Sequence, residues 1–165
     1  MKIAIGCDHN AYRLKESIKQ FLAQMNIDVV DFGSHTEEAV DYPDVAFQVA
    51  NEIRSGNFER GILFCGTGIG VAIAAGKVPG IRAALCHDIY SAERARKSNN
   101  AQILTMGAQI IGLEHAKKIV DAWIHSEFQG GDSERKVQKI MEQELYYLRN
   151  GDNEETDEPT NHGCR

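Results

Sequence analysis

The chain has 165 residues, 42% hydrophobic and 25% charged, enough for one substantial core and too few for two full domains. Eighteen Lys and Arg stand against 24 Asp and Glu; five of those acids and one Arg lie from Asn150 onward, which leaves 17 bases and 19 acids in residues 1–149. A near-neutral body has no field to collect a phosphate backbone, so composition points to a small-molecule partner and away from nucleic acid.

The apolar start is interrupted by Asp8 and His9, where a secretory signal needs a continuous apolar stretch, so a cytoplasmic protein is expected. Of the two longest uncharged stretches, residues 61–76 and 98–113, the first holds five glycines. Both are shorter than the roughly 20 residues of a membrane span, so no membrane association is expected. Four cysteines, Cys7, Cys65, Cys86 and Cys164, form no C-x-x-C pair, and three of them end apolar runs. Reduced thiols are expected, with no metal site.

In chain order, strand-like runs fall at residues 2–7, 28–31, 61–65, 81–86 and 102–106. They alternate with helical stripes, the pattern of βαβ units around a parallel sheet. Leu14, Ile18, Phe21, Leu22 and Met25 form the first stripe, and Val45, Val49 and Ile53 the second, after Pro43. Following the fifth strand come Leu113, Ala116, Ile119, Val120 and Trp123. Beyond Gly130 and Gly131, the last stripe is Val137, Ile140, Met141, Leu145 and Leu148. Two consecutive helices with no strand between them predict a final helix that reaches outward, where it could pack across a partner subunit. From Asn150 to Arg165 the periodicity ends, and an acidic disordered tail is expected, with Cys164 a free tail thiol.

In an open parallel sheet, ligands bind beyond the carboxyl ends of the strands, so the residues that follow each strand carry the information. Strand one runs into Asp8, His9 and Asn10. Strand three runs into Gly66, Thr67, Gly68, Ile69 and Gly70, and strand four into His87 and Asp88. The glycines let the backbone turn tightly and approach a ligand, and the helix start behind them presents free N–H groups, which together make an anion cradle. A dinucleotide reading needs G-x-G-x-x-G after the first strand; here the glycines follow the third, and Val71 holds the last position. Asp88, near where a ribose-binding acid would fall, keeps that alternative open. Cys65 stands at the mouth of the cradle, where N–H dipoles favour thiolate over thiol, and is a candidate base or nucleophile. Cys7 and Cys86 lack such a loop and read as small buried hydrophobes. Asp8 and His9 fit either an acid/base pair or a helix cap with a surface His. Tyr42 fits a pocket wall or a turn-packing residue, and Arg135 and Lys136 read as a solvated helix face.

Taken together, K-I-A-I-G-C-D-H, D-Y-P-D, F-C-G-T-G-I-G-V-A-I-A-A-G-K-V-P-G-I-R-A, Y-S-A-E-R-A-R, N-N-A-Q-I-L-T-M-G and I-V-D-A-W resemble the ribose-5-phosphate isomerase type B family, which also includes the galactose-6-phosphate isomerase subunits. The resemblance runs over about residues 1–145. It implies an α/β, Rossmann-like three-layer fold with a five-stranded parallel sheet and an extended C-terminal helix. It also implies a homodimer or dimer of dimers with shared active sites, and aldose–ketose isomerisation of sugar phosphates with no metal and no organic cofactor. Cys65 would then be the base that moves a proton between C1 and C2. Gly66, Gly68, Ile69 and Gly70 would form the oxyanion loop, with Thr67 relaying protons between O1 and O2. Asp8 and Tyr42 would meet sugar hydroxyls, His9 the phosphate end, and Asn99 the site of the neighbouring subunit.

Four positions depart from the family pattern. Ser98 stands where a ring-opening His is usual, and Gln109 and Asp132 stand where the phosphate end usually carries Arg. Lys136 replaces a further Arg and cannot reproduce its bidentate fork, which leaves Arg135, Lys136 and His9 as candidate phosphate contacts. A tetrose 4-phosphate cannot close a five-membered ring and would not need the missing His. The alternative is another pentose or hexose, phosphorylated or free, whose hydroxyls meet Gln109 and Asp132. His87 is a possible new contact. The competing reading from another class is a non-catalytic or hetero-oligomeric sugar-binding paralogue.

Overall fold

The computed structural model describes residues 1–151; of the tail expected from Asn150, Asn150 is instead the last residue of the final helix and Gly151 its cap, and residues 152–165, with Cys164, lie outside the described residues. Five strands, β1 (Lys2–Cys7), β2 (Asp28–Asp31), β3 (Arg60–Cys65), β4 (Ala83–Leu85) and β5 (Ile103–Gly107), form one all-parallel sheet in the order β2-β1-β3-β5-β4. The helices are α1 (Tyr12–Gln24), α2 (Tyr42–Arg54), α3 (Ile69–Ala75), α4 (Ile89–Lys97), α5 (Leu113–Ile124) and α6 (Asp132–Asn150), with a 3-10 turn at His9–Ala11.

Because side chains alternate across a strand, the sheet feeds two cores. On one face Ile3, Ile5, Cys7, Ile62, Phe64, Leu104 and Met106 pack with Ile18 and Leu22 of α1, Ala92 and Ala95 of α4 and the α5 stripe. On the other, Ala4, Leu63, Cys65 and Ile103 pack with Val45, Val49 and Ile53 of α2 and Val71 and Ala75 of α3. The result is the expected three-layer α/β architecture. The pleat also separates the thiols. Cys7 pairs in register with Phe64, so Cys65, one residue further along β3, points to the α2/α3 side, while Cys7 and Cys86 join the opposite core.

Two elements differ from expectation. The fourth strand is limited to three residues, since the Ile81 N–H closes a turn onto the Val78 carbonyl instead of joining the sheet. The second is α4, which had no predicted stripe because its sequence, IYSAERARK, buries only Ala92, Ala95 and Arg96. The last helix reaches outward as predicted: α6 buries Val137 and leaves Ile140, Leu145 and Leu148 about half exposed. Among the described residues, no helix is long and apolar enough to cross a membrane.

Candidate active site

The carboxyl ends of β1 and β3 lie side by side, with the Asp8 N–H donating to the Phe64 carbonyl at 3.2 Å. Beyond them opens a cleft of about 440 Å³ lined by Asp8, Tyr42, Cys65, Gly66, Thr67, Ile69, Gly70 and Ile73. The loops after β1 and β3 thus converge, as expected from their polar residues, and α2 adds Tyr42 from its first turn, whereas His87 and Asp88 after β4 do not line the cleft.

Cys65 is 4% exposed, and its Sγ accepts the Gly68 N–H at 3.0 Å. That bond requires the chain to double back within three residues, which Gly68 permits with φ +77°. The N–H groups of Gly66, Thr67 and Gly70 have no acceptor among the described residues. The Thr67 hydroxyl is exposed at the cleft and accepts the Ile69 N–H at 3.3 Å. A sulfur held by an amide thus sits beside unengaged amides and a hydroxyl, an arrangement able to take a proton from carbon while steadying charge on the adjacent oxygen. Burial pushes Cys7 up to about 11 and Cys86 up to about 12, which keeps both neutral.

Asp8 is the helix cap that one of its readings expects, and it also lines the cleft, without His9 beside it. It is nearly buried and lines the cleft, while Oδ1 caps the 3-10 turn by accepting the Ala11 N–H at 3.2 Å and Oδ2 accepts from the Asn10 amide at 3.3 Å. Tyr42 is a pocket wall. The ring crosses Gly70 so closely that a Cβ there would lie 2.6 Å from Cε2. The His9 ring is not part of the lining; Nδ1 accepts the Val40 N–H at 3.3 Å.

The remaining candidates are not brought to this cleft within one chain. Asn99 lines a second cavity, about 550 Å³, beside the β4 edge with Arg82, Arg94 and Ile140. Ser98 ends α4, its hydroxyl accepting from the Arg94 guanidinium. Arg135, Lys136 and Asp132 are exposed on the first turns of α6. Gln109 is anchored beside the loop: its N–H donates to the Gly66 carbonyl at 2.9 Å, and its side chain lies over the space a Gly66 Cβ would take. Asp88 is an N-cap, accepting from the Ser91 N–H at 2.7 Å and the Ser91 hydroxyl, so the ribose-acid reading fails at that position. His87 is engaged with backbone, its Nε2 accepting the Gly107 N–H at 3.0 Å. The lining role of Ile73 was missed, since an exposed helical Ile carries no local signal.

Residues 3–140 match the family described as Ribose/Galactose Isomerase. The chain belongs to that family. Within it, the chain is 54% identical over 142 residues to the ribose-5-P isomerase B of Listeria innocua, covering 86% of this chain and 96% of that protein. It is also 54% identical over 141 residues to the D-erythrulose-4-phosphate isomerase of Pectobacterium atrosepticum, covering 85% and 93%. The Ribose/Galactose Isomerase fold extends to solved structures. Ribose-5-phosphate isomerase B of Clostridium thermocellum superposes with a TM-score of 0.87 at 50% identity, covering 89% of this chain and 99% of that one. The Mycoplasma genitalium enzyme with bound ribulose-5-phosphate gives 0.82 at 37% identity, covering 87% and 96%.

Proposed function

We propose that this chain is an aldose–ketose isomerase for a sugar phosphate, with Cys65 as the base that carries the proton between C1 and C2. One observation carries the reading: Sγ of Cys65 accepts the Gly68 N–H at 3.0 Å, in a cleft where the Gly66, Thr67 and Gly70 N–H groups have no acceptor among the described residues. A carbon acid beside a carbonyl ionises only if the developing oxyanion is met, and each pre-aimed donor is worth about 3–4 kcal/mol. The thiolate removes the proton from C2 of the aldose, the electron pair becomes the C1–C2 double bond, and the carbonyl oxygen becomes the enediolate oxygen facing these amides. Returning the proton to C1 gives the ketose. Thr67 moves the hydroxyl proton between O1 and O2, while Asp8 and Tyr42 hold sugar hydroxyls. The catalytic domain is residues 1–149.

The substrate we favour is a tetrose 4-phosphate. The 54%-identical relatives are named for ribose-5-P isomerase B and for D-erythrulose-4-phosphate isomerase, so similarity alone does not choose between them. Ser98 supports the tetrose: its hydroxyl accepts from Arg94 and offers no imidazole to open a sugar ring, and a tetrose 4-phosphate has no ring to open. Two chains assemble with Asn99 of one facing the cleft of the other. The half-exposed Ile69 and Ile73 beside the cleft and the apolar stripe of α6 are the surfaces such an assembly covers. In that arrangement Arg135 and Lys136 supply the charge for the phosphate.

The test is the purified chain alone against tetrose, pentose and hexose phosphates and the free sugars, with two variants. Cys65→Ala is expected to keep the fold and lower turnover about 10²–10⁴-fold, the range for a lost general base. Cys86→Ala, on the opposite face of the sheet, is expected to stay near the parent. Full turnover in Cys65→Ala, or no isomerisation of any sugar, refutes the proposal; activity only in a complex with another chain supports the paralogue reading.

A further inference from the structure

The loop that carries Cys65 and Thr67 rests on the last residue of β5. Gly107 lies opposite Cys65 in the β3–β5 register, and the two N–H groups after it donate to the Cys65 and Gly66 carbonyls, both at 2.9 Å. No side chain fits between the layers. A Cβ on Gly107 would lie 2.5–2.7 Å from Thr67 backbone atoms, and one on Gly68 would lie 2.9 Å from the Gly107 nitrogen. Any displacement of Gly107 is therefore transmitted to Thr67 and Gly68, and Gly68 holds Sγ of Cys65.

On its other side, β5 runs short of a partner strand. Parallel pairing with β4 ends at Leu85 and Thr105, followed by the Cys86 N–H donating to the Thr105 carbonyl. Two residues on, the Gly107 N–H faces the same side, but the neighbouring chain has turned away toward α4 and offers no carbonyl. The acceptor is His87 Nε2 at 3.0 Å. An imidazole that accepts at Nε2 carries its hydrogen on Nδ1 and is neutral. Protonation would put a second donor against the buried Gly107 N–H and leave that amide without an acceptor.

We propose that His87 is a positioning residue for the isomerisation: as a neutral imidazole it holds Gly107, and through Gly107 the Thr67–Gly68 turn, in the register that presents Sγ of Cys65 and the loop amides to the substrate. This rests on the isomerase reading for its effect on turnover, but its geometric part does not. Two titratable groups act on the ring from the elements around it. Asp88, next in the chain and engaged by Ser91, pulls protonation upward, and His115 of α5 opposes it. Burial, with His115 acting in the same direction, outweighs Asp88 and holds His87 below its ordinary 6.5.

Amide NMR of the full chain between pH 8 and 5 reads the geometry without substrate. The Gly107 and Gly68 amides are expected to shift together with a midpoint below 6.5, and His87→Gln, whose Oε1 accepts at any pH, is expected to abolish that component in both. In turnover, kcat should fall on the acid side with the same midpoint at little change in KM. His87→Ala should lower kcat about tenfold or more, the effect of orphaning one buried amide, and His87→Gln should keep most of kcat and lose that acid limb. A Gly68 amide that stays flat while Gly107 titrates, or an acid limb unchanged in His87→Gln, overturns the proposal. Coupled amides in a chain that turns over no sugar phosphate would sustain the positioning and refute the isomerase reading instead.

Discussion

Gly70 shows how little space separates binding from exclusion at this site. A Cβ there would lie 2.6 Å from Cε2 and 3.1 Å from the hydroxyl of Tyr42, whose ring is free to swing because its outer side faces solvent. Gly70→Ala is therefore expected to push Tyr42 out of the cleft at small cost to stability. Losing one hydroxyl contact worth about 0.5–1.5 kcal/mol raises KM roughly two- to twelvefold. Steady-state kinetics beside thermal unfolding checks this, and an unchanged KM with a lower Tm would mean that Tyr42 only packs a turn. Cys65 was legible in the sequence because a strand-ending thiol followed by alternating glycines has a local signature. Asp8 was legible only as an ambiguity, which the fold answers by making it a cap that also lines the cleft. The roles of His87 and Asp88 were not legible. Asp88 resembled a ligand-binding acid because caps and ligand contacts use the same residue type after a strand. His87 finds its partner 20 positions along the chain, at a backbone amide that no composition or spacing reveals.

At the scale of elements, β1 and β2 fell where the β-branched runs placed them, whereas α4 escaped notice because an edge helix of Ala and Arg needs no broad apolar stripe. The join between α1 and β2 was equally hidden, since it is ionic. Lys15 is fully buried, and Nζ donates to both Asp31 oxygens at 2.8 and 2.7 Å and to the Ser34 carbonyl at 2.6 Å; Lys19 reaches Asp31 at 2.6 Å. Ser34 in turn donates its N–H to the Cys7 carbonyl, so this cluster fixes the end of β1 just before Asp8. Removing one partner of a buried pair strands the other, at about 3–5 kcal/mol; Asp31→Ala strands the fully buried Lys15, whereas Lys15→Met leaves Asp31 paired with Lys19. Asp31→Ala should thus destabilise the chain more than Lys15→Met in denaturant unfolding; equal losses would show that packing, not stranded charge, dominates. Burial pushes the Asp31 carboxyl up, but the bonds from Lys15, Lys19 and Gly33 outweigh it and hold the group below its ordinary 3.8. A depressed carboxyl stabilises the fold above that ordinary value, and the contribution disappears as pH falls through the lower folded value. The acid-unfolding curve of the parent should carry this limb and that of Asp31→Asn should lack it.

For the whole molecule, the question is what completes a cleft whose outer wall is apolar and whose candidate phosphate contacts lie elsewhere. Ile69 and Ile73 flank the cleft and are at least half exposed, and α6 turns Ile140, Leu145 and Leu148 to solvent. Asn99 sits at the separate cavity by the β4 edge. If Asn99 of one chain completes the site of another, no chain needs both a working Cys65 and a working Asn99 of its own. Cys65→Ala and Asn99→Ala proteins should each be nearly inactive alone. Mixed under conditions that let subunits exchange, they should regain part of the parental turnover, because the hybrid holds one site with an intact Cys65 and a partner's intact Asn99. Adding Leu145→Glu to both chains should abolish the rescue and shift sedimentation toward the monomer, since a charge on the apolar stripe of α6 opposes its burial. Two inactive variants that exchange subunits without regaining activity would place Asn99 in its own chain's site, or in none.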